Sequence, residues 1–136
     1  MKIDPYNHKE KYIHWKDKTR NGIPKISKEN SDIIKQYILD MERGVNIARV
    51  SSKGARSYTR LNSFISRMIF FAKKFNEIYG LNKITDIGED KLIGFFTDMK
   101  SGEIKREDDK EFMSVETYTK IFRAFWHWWQ KINNKK

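Results

Sequence analysis

The chain has no cysteine and only two prolines, Pro5 and Pro24, both within its first 24 residues. The first absence rules out a disulfide framework and a thiolate metal site, and it fits a reducing cytoplasm. The second leaves everything beyond Pro24 able to be helical, because proline removes a backbone donor and breaks helix interiors. Apolar runs are short. None approaches the roughly 20 residues that span a bilayer, and the opening "MKIDPYNHKEKYIHW" lacks the apolar core of a secretory signal. Alternating strand patterns of useful length and internal repeats are also missing. These absences predict a soluble, cytoplasmic, all-α protein with no membrane partner.

What is present suits one domain. The 136 residues are 38% hydrophobic and 14% aromatic, enough for a single modest core despite 34% charged side chains. Net charge is +10, and it alternates along the chain. Residues 1–26 carry seven basic and three acidic side chains, 27–55 five and four, 56–79 five and one, 80–113 six and nine, and 114–136 five and one. Positive charge gathered on particular elements is the footprint of a polyanion ligand. A high isoelectric point without a ligand is the plainer alternative, and charge alone leaves it open.

Four helices are legible. In "SKENSDIIKQYILDMERG", Ile33, Ile34, Tyr37, Ile38 and Met41 recur at helical spacing after Ser27, and Gly44 supplies a stop. The next runs from about Arg56 to Tyr79, where Gly80 ends it. In "TDIGEDKLIGFFTDMKSG" a cap at Thr85 or Asp86 is expected, with Leu92, Ile93, Phe95, Phe96 and Met99 facing inward. The polar segment "SGEIKREDDKEFM" reads as a loop or small hairpin. A last helix capped by Ser114 reaches about Asn133. Residues 1–26 form a basic N-terminal arm or a short extra helix, with Tyr6, Tyr12, Ile13 and Trp15 hinting at the latter; residues 27–136 form the main domain.

Two of these helices have two faces of unlike chemistry. On the second, Tyr58, Leu61, Phe64, Ile65, Met68, Phe71, Ala72, Phe75 and Tyr79 share a wide apolar face. Beside it runs a narrow stripe of Arg56, Arg60, Ser63, Arg67 and Lys74, and Glu77 is the helix's only acid. A solvated helix face normally mixes signs, because like charges one turn apart are unfavourable, as Arg56 and Arg60 are. An outward arginine row is a usual way to hold phosphates and read guanine edges. Phe70 falls near the basic stripe, without an evident role. On the last helix Tyr118, Ile121, Phe122, Phe125, Trp129 and Ile132 form the apolar face, with Thr117, Lys120, Arg123, His127 and Lys131 opposite. Trp126 and Trp128 lie at the two edges; most of these aromatics are expected in the core, and the alternative for the edge tryptophans is to cover a neighbouring domain or to stack near nucleic acid. The third helix is acidic in its surroundings, so phosphates would avoid it.

Catalytic signals are thin. His8, His14 and His127 lack metal-ligand spacing, no phosphate-cradling glycine loop occurs, and no nucleophile has a base at suggestive spacing. No catalytic residue, metal site or cofactor is expected.

The four segments "GIPKISKENSDIIKQYILDMERG", "KGARSYTRLNSFISRMIFFAKKF", "ITDIGEDKLIGFF" and "SVETYTKIFRAFWHWWQK", in that order over about residues 22–132, resemble the N-terminal core-binding domain of tyrosine recombinases. The flavour is that of archaeal phage-type integrases. The resemblance implies a small four-helix bundle of the SAM-like type, which clamps duplex DNA opposite a separate catalytic domain. It implies DNA contacts from the second and fourth helices, hence from Lys53, Arg56, Ser57, Arg60, Ser63, Arg67 and Lys74, and from Thr117, Lys120, Arg123, His127 and Lys131. Self-association with other recombinase subunits on DNA is part of that picture. The family's catalytic arginine, lysine, His-x-x-Arg and tyrosine are not in this sequence; His127 is followed by Trp-Trp-Gln. The chain is therefore expected to bind and not to cut, as a natural or artificial truncation of a recombinase. Two other readings stand beside this one: a helical protein–protein interaction module, and a stand-alone DNA-binding accessory factor.

Overall fold

A computed structural model describes residues 7–45, 57–105 and 115–133. Among them are five α-helices and no strand: α1 (His8–Lys18), α2 (Lys28–Arg43), α3 (Tyr58–Tyr79), α4 (Glu89–Ser101) and α5 (Val115–Asn133), with a single 3-10 turn at Ile84–Asp86 before α4. The protein is all-α. No helix among the described residues is long and apolar enough to cross a membrane.

Local chemistry sets most of the boundaries. Ser27 accepts a hydrogen bond from the Asn30 N–H at 3.1 Å and caps α2. Ser57 does the same for α3 through the Arg60 N–H. Gly44 and Gly80 close these helices at φ 73° and 68°, a left-handed conformation in which a Cβ would be strained. The expected cap at Thr85 or Asp86 is displaced: both lie in the 3-10 turn, and α4 begins after Gly88. The reason is tertiary. Ile84 is fully buried, and its N–H donates to the Asn30 side-chain oxygen at 2.6 Å, which commits this stretch to α2 before a helix can start. Glu89 and Asp90 then occupy the first turn of α4, where they complement the helix dipole. Of the segment expected as a loop or hairpin, 101–105 finishes α4 and turns; 106–113, and the expected cap at Ser114, lie outside the described residues.

The helix α3 is central, packing against α1, α2 and α5, while α4 closes on α5. The core is mainly aromatic. Phe71 meets Phe95 from α4 at 6.0 Å and Phe122 from α5 at 5.1 Å between ring centres, and Phe75 meets Phe95 edge to face. Tyr37 on α2 sits against Phe64, Phe125 and Trp128. Phe70 belongs to this cluster, because its ring packs on Phe71, Phe95 and Tyr118. The inward assignment of α4 needs one correction: Ile93 is 58% exposed, while Leu92 and Phe96 are half-buried. Tyr58, placed on the core face of α3, is exposed along its edge and touches the Tyr12 ring.

Residues 8–18 are a helix and part of the same core, rather than a separate arm. Tyr12 is buried, and its hydroxyl donates to Glu42 Oε1 at 2.8 Å, an oxygen that Lys16 also approaches at 3.1 Å. Asn62 on α3 reaches back to the His8 carbonyl at 2.9 Å. Ile13, by contrast, faces solvent. Burial, first, and then the Glu42 carboxylate raise the Tyr12 phenol above its ordinary value. A group held protonated in the folded state contributes stability that is present in full below its unfolded pKa of about 10 and fades as pH rises past it. The Tyr12→Phe variant should therefore lose less stability than the parent between neutral and alkaline pH. Urea midpoints measured at both would show this, and equal losses would count against a buried phenol.

Candidate nucleic-acid interface

The basic stripe of α3 is less uniform than its spacing suggests. Arg60 is exposed in the first turn of the helix, with its backbone N–H held by Ser57. Ser57 itself is exposed at the cap. Arg67 is half-buried. Its guanidinium lies 5.2 Å from the centre of the Tyr118 ring, and Nη1 donates to Ser63 Oγ at 3.0 Å. Its buried Nε has no hydrogen-bond partner among the described residues. Arg67 thus works as a strut between α3 and α5, with a cation–π contact of a kind that is worth more when desolvated. Lys74 is also half-buried, and Nζ pairs with Glu77 at 3.3 Å. Lys53 and Arg56 lie outside the described residues.

On α5, Lys120, Arg123, His127 and Lys131 are exposed, and by helical geometry they fall within an arc of about 80°. Thr117 is half-buried and lies at the margin of that face. Arg123 takes a different neighbourhood from the others. Together with Glu89, Leu92, Ile93, Phe96 and Trp126 it lines an apolar groove of about 460 Å³ between α4 and α5. Trp126 stacks on Phe122 in that groove at 18° between planes. The Arg67–Tyr118 contact joins the middle of the α3 stripe, with Ser63, to the first turns of α5.

The edge tryptophans differ from each other. Trp128 is neither stacking surface nor docking patch. It is 1% exposed, and its Nε1 donates to Asp40 Oδ2 at 2.8 Å. Gln36 Nε2 donates to the other carboxylate oxygen at 2.9 Å. A buried carboxylate must be hydrogen-bonded to be tolerated, and Asp40 is bonded by two helices at once. Its signal was a single acid set between Tyr37 and Met41 on an apolar face.

Spacing also passed over a second basic locality. Lys25, Lys73 and Lys74 line one groove between the start of α2 and the C-terminal half of α3, with Ser27, Asn76, Glu77 and Asn82. Lys73 and Lys25 sit off the stripe in sequence, and only the approach of α3 to the 23–27 turn brings them together. Among the described residues, no three His, Cys, Asp or Glu side chains converge as a metal would need. No protein-family model matches the sequence, and neither the curated proteins nor the solved structures yield a match.

Proposed function

We propose that the chain is a duplex-DNA-binding domain of the SAM-like type found in tyrosine recombinases, which holds DNA without cutting it. One observation carries the reading. The exposed cations Arg60, Lys120, Arg123 and Lys131 belong to α3 and α5, which pack together, whereas Glu89 and Asp90 are exposed on α4. Lysines and arginines give salt-sensitive phosphate contacts, and a few side chains would reach base edges. The resemblance in the order and spacing of four segments adds the recombinase context. The test is anisotropy of a labelled random duplex titrated with salt. With about 4–6 phosphate contacts, log affinity should fall against log salt with a slope of about −4 to −5. No binding even at about 50 mM salt would sink the proposal.

The α4/α5 groove favours one other reading, a protein-docking module. Leu92, Phe96, Trp126 and the exposed Ile93 would then hold an apolar partner surface, with Glu89 and Arg123 pairing its charges. That function would be indifferent to charge reversal at Arg60.

A further inference from the structure

We propose that the groove formed by Lys25, Lys73 and Lys74 is a second phosphate-binding locality, which extends the DNA footprint around the bundle from α3 to the start of α2. The inference rests on the DNA-binding reading and adds to it a place where the backbone goes. Arg60 to Lys74 covers 14 residues, about 21 Å of helix or about six base-pair steps along one strand. Lys74 is the last cation of that stripe and the first of the groove. Its side chain is only 22% exposed, and it is held against Glu77. The groove continues to Lys73 and across to Lys25, with a volume of about 840 Å³ and mostly polar walls.

Lys25 is the telling residue. Its φ is 65°, in the left-handed region that a side chain other than Asn or Asp rarely adopts. The turn around it is fixed on both sides. Ile23 is buried, its N–H donating to Ser31 Oγ at 3.0 Å, and the Ile26 N–H returns to the Ile23 carbonyl at 3.1 Å. Lys25 is thereby held at the groove, opposite α3, rather than carried on a loose segment. The far wall is equally built. Ser27 Oγ donates to the Asn82 carbonyl at 2.6 Å, and Asn76 Nδ2 reaches Asn82 Oδ1 at 3.1 Å. Among the described residues that line this trough, three are lysines and one, Glu77, is an acid, so its lining favours an anion.

The experiment compares three proteins on the same labelled random duplex: the parent, Lys25→Gly, and Lys25→Gly with Lys73→Gln. Glycine adopts the positive φ without strain, so the charge goes while the turn stays. The single variant should make the salt slope shallower by about 0.9 and the double by about 1.8, one counterion set per phosphate lost. Affinity at about 50 mM salt should fall roughly tenfold per lysine. Lys91→Gln with Lys100→Gln on α4, a control of equal charge loss, should leave the slope unchanged. If the parent binds and the Lys25→Gly slope equals the parent's, the groove lies outside the footprint and this inference fails while the DNA reading stands. If the α4 control shifts the slope as much, the effect is net charge and the inference also fails. If the parent does not bind, both fall together. Because Lys25→Gly is judged alone, misfolding of the double variant would not rescue the idea.

Discussion

Replacing Arg60 and Lys120 together by glutamate is expected to lower affinity for duplex DNA by at least about 100-fold at 50 mM salt, to the point of no measurable binding at physiological salt. Each phosphate contact contributes about 1.2 log units there through counterion release, and reversal adds repulsion to the loss. The fold should be indifferent. Both side chains are exposed, and such surface changes usually stay within about 0.5 kcal/mol. Arg60 lies in the first turn of α3, which has no acid of its own. A glutamate there faces the positive end of the helix dipole and favours the helix. Lost binding with unchanged circular dichroism and unchanged melting would therefore be electrostatic in origin. A variant that bound like the parent would place the DNA elsewhere or remove it, and would turn attention to the apolar groove of α4 and α5.

The largest effect on stability is expected at Trp128. Trp128→Ala should destabilise by about 3–5 kcal/mol through the cavity alone. The loss should be greater still because Asp40, 5% exposed, then keeps only its other donors. Against a total of about 5–15 kcal/mol for a domain of this kind, much of the fold's margin disappears. Trp128→Phe separates the two contributions. It keeps most of the ring packing against Tyr37 and Phe125 and removes the indole N–H from the carboxylate. Loss of a hydrogen bond to a charged group predicts about 1.5–3 kcal/mol. Urea titrations followed by circular dichroism would measure both variants, and a double variant with Asp40→Asn would report the coupling. If Trp128→Phe changed stability by less than about 0.5 kcal/mol, the bond would be structurally idle.

The parts of this fold that were legible in the sequence are those decided within one turn of the chain. The helix ends at Ser27, Gly44 and Gly80 are of this kind, since a cap needs only neighbours three or four residues away. So is the apolar face of α3, from Leu61 to Phe75. What was left open or escaped was decided at long range. The short α1 buries only Tyr12 fully, and its anchors Glu42 and Asn62 lie 30 and 54 residues away from the groups they hold. The start of α4 moved because Asn30 claims the Ile84 N–H from 54 residues away. The unusual width of α5's aromatic face follows from three neighbours. Trp128 serves α2 on one edge, Tyr118 meets α3, and Phe122 with Trp126 borders the α4 groove.

The candidate interface was legible in the same uneven way. Helical spacing identified Arg60, Lys120, Arg123, His127 and Lys131 as outward-facing, and they are exposed. Spacing could not tell that Arg67 would be drawn under Tyr118, because an arginine on the border of an apolar face can lie either way until the next helix is in place. It likewise placed Lys74 at the end of a row, where the folded chain makes it a corner.

The carboxylate of Asp40 has a consequence for the order in which the chain assembles. Its donor from α5 is 88 residues further along, so α2 is complete on a growing chain long before that indole exists. Until α5 docks, Asp40 lacks its indole donor and the Tyr37 ring lacks the cover of Phe125 and Trp128. Burying that carboxylate with only part of its hydrogen bonds made is unfavourable, so this face of α2 is completed only with α5 in place. The last helix thus closes over the earlier ones, and the Trp128–Asp40 bond ties it to α2.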